Sequence, residues 1–378
     1  MKASKLFKEF FESEKSSGII LIFCTLFSLY ISNSAWGDAY HHLWKTEILG
    51  HALEHWINDG LMTIFFLLVG LELEREIYIG ELSKIKEASF PIIGALGGMI
   101  VPVLIYTLFN YGTPTISGSA IPMSTDIAFA LGVLSLLGSK VPLSLKIFLT
   151  ALAVIDDLGA IVIIGTFYSS GLDWTNLCLS LGTFALLGGL NFAKVRSIPL
   201  YLIGGLAMWY FMGQSGVHPT ITGVLLAFAI PFDKGDQHSI STKIQHFLHK
   251  PVSFGILPIF ALANTAIILN TDTTSKLLES YSLGIFTGLS LGKPIGIFLF
   301  CFLASSLGLS KIPKDLTWGS IVGVGFLGGI GFTMSIFITN LSFHQESIVD
   351  VSKFSILLAS LVSAIIGFSM LSKTLKQK

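Results

Sequence analysis

Charge is what this sequence has least of: of 378 residues only 12% are Asp, Glu, Lys or Arg, while 52% are hydrophobic. A chain with so few polar groups cannot clothe a soluble globule, and its mean hydropathy of +0.76 excludes an ordinary soluble domain. Net charge is zero and no basic run interleaves with aromatics, which removes the electrostatic case for nucleic acid as a partner. Cysteine is scarce too. Cys24, Cys178 and Cys301 each sit in an apolar stretch, which excludes a disulfide framework or a thiolate metal cluster and leaves them as core packing residues. There is no low-complexity tract, no separate soluble domain, and no small-residue cleavage site after the first apolar run, about 18–32. That run reads as a retained first span.

What is present in quantity is apolar runs of the roughly 20 residues that cross a bilayer. A window of about 19 residues places spans near 17–33, 56–80, 88–111, 118–137, 143–168, 174–191, 197–212, 217–231, 251–269, 282–307, 320–341 and 353–372. The fold class is therefore all-α integral membrane, with about twelve helices, of which the fourth, seventh and eighth are short. The longer polar linkers are 34–55, with room for a surface hairpin, and 232–250. An even count puts both termini on one side. Of the 23 Lys and Arg residues, nineteen fall on that side and three on the other, and Lys293 lies within a span. The positive-inside rule predicts both termini cytoplasmic.

Segments 88–168 and 282–372 each read as three spans joined by short loops. An odd number of crossings, about seven by the spans above, separates their starts, so they enter from opposite sides and form an inverted-topology repeat. Both middle helices carry disruption: Pro122 before Ser124-Thr125-Asp126 in one, and Gly323, Gly325, Gly328, Gly329 and Gly331 in the other. Both are expected to be broken.

An ionisable group at the bilayer centre costs at least about 2.5–3.5 kcal/mol, so each calls for a partner or a task. Asp156 and Asp157 lie in TALAVIDDLGAIVII, far from any loop. Two buried carboxylates that close together cannot both ionise cheaply, so one can load and release a proton near neutrality. Deprotonated, the same oxygens are hard ligands for a small hard cation such as sodium. Proton and cation then compete for one site. Asp126, beside Thr125, suits the positive ends of half-helices, and Lys293 (SLGKPIG) suits an aspartate or exposed carbonyl ends. Asp59, near the start of the second span, fits either a cap or an ion entrance. Glu72 and Glu76 are a turn apart with Arg75 able to bridge them, which reads as a funnel lip or a solvated helix end. His218 (SGVHPT) is a candidate pH-responsive group.

FFLLVGLELERE, PMSTDIAFALGVL, ALAVIDDLGAI, SGVHPTITGV, LGKPIG and GIGFTMSIFI, in this order and almost from end to end, resemble the NhaA family of sodium/proton antiporters. The family is itself an example of the rule that broken helices of inverted repeats build a midplane ion site, so that reading is not independent of the resemblance. The resemblance implies twelve helices, the fourth and eleventh broken and crossing at mid-membrane. It implies a core (about 88–168 plus 282–372) moving against an interface domain (about 17–80 plus 174–269). It implies transport of Na+ or Li+ against H+, in a bacterial inner membrane, by a homodimer with no cofactor. Asp156 and Asp157 match the aspartates that ligate the transported Na+, Thr125 and Asp126 the crossing positions, and Lys293 the lysine of the tenth helix, expected to pair with Asp156. Glu72 and Arg75 match the cytoplasmic pH-response region, with Glu76, His218 and Asp59 grouped beside them. Glu74 stands where the family has a basic residue and Gln245 where it has an acidic one.

An intramembrane aspartyl protease would need aspartates converging from separate helices, and a retinal photoreceptor an aromatic cage around Lys293. Neither pattern is present, so the chain does not read as an enzyme. The alternative is a sodium-coupled solute symporter of related fold.

Overall fold

The structure, a computed structural model, describes residues 2–83, 85–169, 171–233 and 239–375. Helix α1 (Lys2–Ser32) and a short α2 (Gly37–Lys45) precede an antiparallel hairpin of β1 (Glu47–Ile48) and β2 (His51–Ala52), in which Glu47 faces Ala52. The hairpin falls in the first long polar linker. Then come α3 (Leu53–Tyr78) and α4 (Ile85–Asn110). A 3₁₀ segment, Pro114–Met123, leads into α5 (Ile127–Ser135). Helices α6 (Leu143–Phe167), α7 (Trp174–Phe192), α8 (Ile198–Gln214), α9 (Ile221–Ala229) and α10 (Ile240–Asn264) follow. Last are α11 (Ser280–Ser306), α12 (Trp318–Gly328), α13 (Phe332–Ser342) and α14 (Glu346–Thr374).

Among the described residues seven helices are long and apolar enough to cross a membrane, and three bent pairs raise the number to ten. Helices α8 and α9, of 17 and 9 residues, are the spans expected to be short. The protein is an all-α integral membrane protein. Both expected breaks are there: the 3₁₀ segment meets α5 at 41° and α12 meets α13 at 46°. At the first, Pro122 withholds a backbone donor, and Ser124 and Asp126 are extended (φ/ψ −89/154° and −81/100°). At the second, Gly329 has an ordinary φ of −73°. Its glycine is required by space, since a Cβ there would run into the Leu289 carbonyl and come within 2.8 Å of Ser363 Oγ.

The chain divides into two compact units, Met1–His42 with Ile85–Ala160 and Ala261–Lys378, and Leu43–Lys84 with Ile161–Phe260. Within the first, α4 and α11 touch backbone to backbone: a Cβ on Gly97 would strike the Gly296 carbonyl, and one on Gly296 the Gly97 carbonyl. Small residues of this kind replace the hydrophobic effect as the source of helix association in lipid, by letting van der Waals contact extend to the main chain. Helix α1 packs on α5 in this unit, with Gly18 against Gly132 and Ala128. The second unit is centred on an apolar cluster that includes Leu67, Leu71, Leu187, Tyr201, Met208 and Leu226.

The cysteines divide. Cys301 is buried, Cys24 is half-buried and Cys178 is exposed on α7, which corrects the expectation that all three pack in the core. A membrane helix is apolar on every side, so an apolar neighbourhood in sequence does not distinguish an inward from an outward face.

Candidate functional site

Asp156 and Asp157 lie on the unbroken α6, 1% and 2% exposed. Asp156 Oδ2 forms an ion pair with the Lys293 ammonium and accepts a hydrogen bond from Thr125 Oγ1 at 2.8 Å. Its other oxygen, Oδ1, is buried and has no hydrogen-bond partner among the described residues. The Asp157 carboxylate is near enough for its charge to act on Lys293. Lys293 is itself 0% exposed and also donates to the Met123 carbonyl. It follows directly on a π-helical turn, Gly288–Gly292, a distortion common at functional sites. Its stem passes Gly98, where a Cβ would come within 3.6 Å of Lys293 Cδ.

Opposite charges meet the opposite ends of the broken helices. Asp126 Oδ1 accepts from Phe129 N at 2.9 Å, capping α5, while Oδ2 accepts from Thr333 N at 3.1 Å and Thr333 Oγ1 at 2.5 Å at the start of α13. One carboxylate thus caps two helix N-termini, where the dipole is positive and backbone donors are unsatisfied. Lys293 and Thr125 attend the C-terminal ends: Met123 closes the 3₁₀ segment, and the carbonyl of Gly328, last residue of α12, accepts from Thr125 Oγ1 at 2.8 Å. The breaks are also joined through the main chain, Asp126 N donating to the Ile330 carbonyl at 2.7 Å. The hydroxyl of Thr125 has one proton and two acceptors, so it serves Asp156 or Gly328, one at a time.

Of the residues singled out by sequence, the structure therefore gathers Asp156, Asp157, Thr125, Asp126 and Lys293. The other five belong to the second unit and separate into two groups. Asp59 lies in the π-helical turn Trp56–Leu61, between His55 Nε2 at 3.4 Å and His218 Nε2 at 3.5 Å, with His218 Nδ1 in turn 2.7 Å from Thr220 Oγ1. Glu72, Arg75 and Glu76 stand thirteen to seventeen residues further along α3, about 20–26 Å away at about 1.5 Å per residue. There Glu72 and Glu76 are half-buried and Arg75 is exposed.

Sequence reasoning missed the carbonyls of Met123 and Gly328, because a main-chain ligand leaves no residue-type signal. It passed over Thr333, although GIGFTMSIF was noted, and His55. It also gave Glu74 only as a departure from the family pattern, whereas Glu74 is 5% exposed with Oε2 lacking a hydrogen-bond partner among the described residues. A signal existed: Glu74 follows Leu67 and Leu71 by seven and three residues, on the face those leucines bury.

Residues 8–371 match the family model described as Na+/H+ antiporter 1. The Na(+)/H(+) antiporter NhaA of Flavobacterium psychrophilum is 64% identical over 376 residues, covering 100% of this chain and 98% of the relative. Those of Cytophaga hutchinsonii and Dechloromonas aromatica are 58% and 56% identical, covering 100% and 98% of this chain and 97% and 96% of theirs. With two broken helices joined at their breaks, a buried dicarboxylate beside them and a match along nearly its whole length, the chain belongs to the Na+/H+ antiporter 1 family.

Proposed function

We propose that this protein is a secondary active antiporter that exports Na+ or Li+ in exchange for H+, with Asp156 and Asp157 as the shared site for cation and proton. The observation that carries the site assignment is the buried, hydrogen-bond-free Oδ1 of Asp156 on a carboxylate whose other oxygen is held by Lys293 and Thr125. An oxygen so placed is available to a cation or a proton, and to either alone. The coupling is electrostatic: loaded with a cation or with protons the site can cross a low-dielectric barrier, whereas an empty dianion is too costly to move. Asp126, Thr125 and Lys293 neutralise the helix ends that make the site possible. Family membership favours this reading over a sodium-coupled symporter.

Asp59 and His218, with Glu72, Arg75 and Glu76, are proposed as the pH-responsive and cation-collecting groups, the first pair because the His218 imidazole, whose protonated form burial opposes and the Asp59 carboxylate favours, stands 3.5 Å from that carboxylate. The proposal extends to a homodimer in a bacterial inner membrane with both termini cytoplasmic, and to a core of about 88–168 plus 282–372. The charge asymmetry of the loops supports the orientation.

In everted vesicles holding a pre-formed proton gradient, Na+ or Li+ added outside is expected to dissipate the gradient, read as recovery of a quenched pH dye. Absence of any recovery across about pH 6.5–8.5, the range around neutrality in which a shared proton site must work, would overturn the reading.

A further inference from the structure

A second lysine is buried in the first unit and plays no part in the site above. Lys353, on α14, is 5% exposed, and its Nζ donates to Asn264 Oδ1 at 3.3 Å. The same oxygen accepts from Asn340 Nδ2, on α13, at 2.6 Å. Asn264 is the last residue of α10 and is 1% exposed, and Thr265 after it is 0% exposed. This helix therefore ends in the protein interior, where its final carbonyls have no water to turn to. Side chains take over part of that work. The Leu262 carbonyl accepts from Ser28 Oγ at 2.8 Å and Tyr40 OH at 3.0 Å, and the Ala261 carbonyl from Thr265 Oγ1 at 2.7 Å. What these neutral donors leave is the partial negative charge of the helix end, which a cation offsets best, and more strongly in a low dielectric than in water.

The cluster also has a line to the exchange site. Asn340 follows Thr333 by seven residues, two turns along the same face of α13, and Thr333 gives Asp126 two of its hydrogen bonds. We propose that Lys353 is a positioning residue for ion exchange: its charge neutralises the buried end of α10 and, through Asn264 and Asn340, fixes α13 so that Thr333 holds Asp126 in place. The inference rests on the antiport reading and adds to it a residue outside the site.

The test measures Na+ KM and maximal rate in everted vesicles, together with the Na+ concentration that half-maximally stabilises the purified protein against heat. Lys353→Met is expected to raise both sodium constants about tenfold, the scale of losing a group that orients a metal ligand, at a membrane level near wild type. Asn340→Ala is expected to do the same in a milder form, and Lys353→Arg to stay within about twofold of wild type. Asp350→Asn, which removes the carboxylate one turn away on α14, is expected to leave both constants unchanged, separating helix-end neutralisation from a simple ion pair. Wild-type constants in Lys353→Met would overturn the proposal. So would a loss of protein and rate in parallel with no change in KM, or a shift reproduced by Asp350→Asn. A wild type with neither exchange nor sodium-dependent stabilisation overturns the antiport reading and this inference together, whereas a wild type that exchanges beside an unaltered Lys353→Met overturns this inference alone.

Discussion

Consecutive residues on a helix leave it about 100° apart, and that rotation lets Asp156 and Asp157 hold different positions although they are the same residue type. Asp156 is occupied on one oxygen by Lys293 and Thr125. The charge of Asp157 also acts on Lys293. Replacing Asp157 by Asn keeps the volume and removes the charge that would bind a cation or exchange a proton. Asp157→Asn is expected to abolish exchange, a loss of at least about a hundredfold, while the protein still inserts. Near-normal dye recovery in vesicles with wild-type protein levels would reassign the site. The aspartates and the lysine were legible in sequence because a charge in an apolar run is conspicuous. Glu74 was less conspicuous, because its neighbours are charged and only its register with Leu67 and Leu71 marks the buried face.

At the scale of the helix, site geometry depends on how closely main chains approach. Lys293 reaches Asp156 and Met123 from α11, which lies directly against α4 through Gly97 and Gly296. Gly296→Val is expected to force these helices apart, destabilising the protein by about 1–3 kcal/mol as overpacking does, and to reduce exchange with it. Gly189→Ala, on α7, where an added Cβ meets nothing within 4 Å, is the matched control and is expected to be neutral. Thermal unfolding of the purified variants distinguishes them, and equal transition temperatures would show that the seam tolerates a side chain. Both broken helices were foreseeable from Pro122 and the glycine cluster. The reason for the glycines was not: Gly329 keeps an ordinary backbone and is needed because the Leu289 carbonyl and Ser363 Oγ lie against it.

For the molecule as a whole the decisive quantity is charge moved per cycle. If the two carboxylates release two protons for each monovalent cation bound, each turnover carries one net charge, worth about 2.3 kcal/mol per 100 mV of membrane potential. The exchange rate in proteoliposomes is therefore expected to follow an imposed potential. A rate indifferent to potential would mean that one proton, and so one carboxylate, serves the cycle.

By itself the sequence determined that this is an all-α membrane protein, that two of its helices are broken, and that Asp126, Asp156, Asp157 and Lys293 are intramembrane charges, because apolar length, helix-breaking residues and the cost of an intramembrane charge are all local properties of the chain. It also carried the family, since STD, IDD, GKP and GIGFTMSIF occur in order. Only the tertiary structure decided which ends meet. Asp126 caps two half-helices that are separated by some two hundred residues, Lys293 closes on Asp156 and a carbonyl of a third element, and Lys353 proves to be buried at a helix end. Those are properties of packing between distant segments, set by where glycines let main chains touch and where dipoles demand a charge, and no local pattern in the chain contains them.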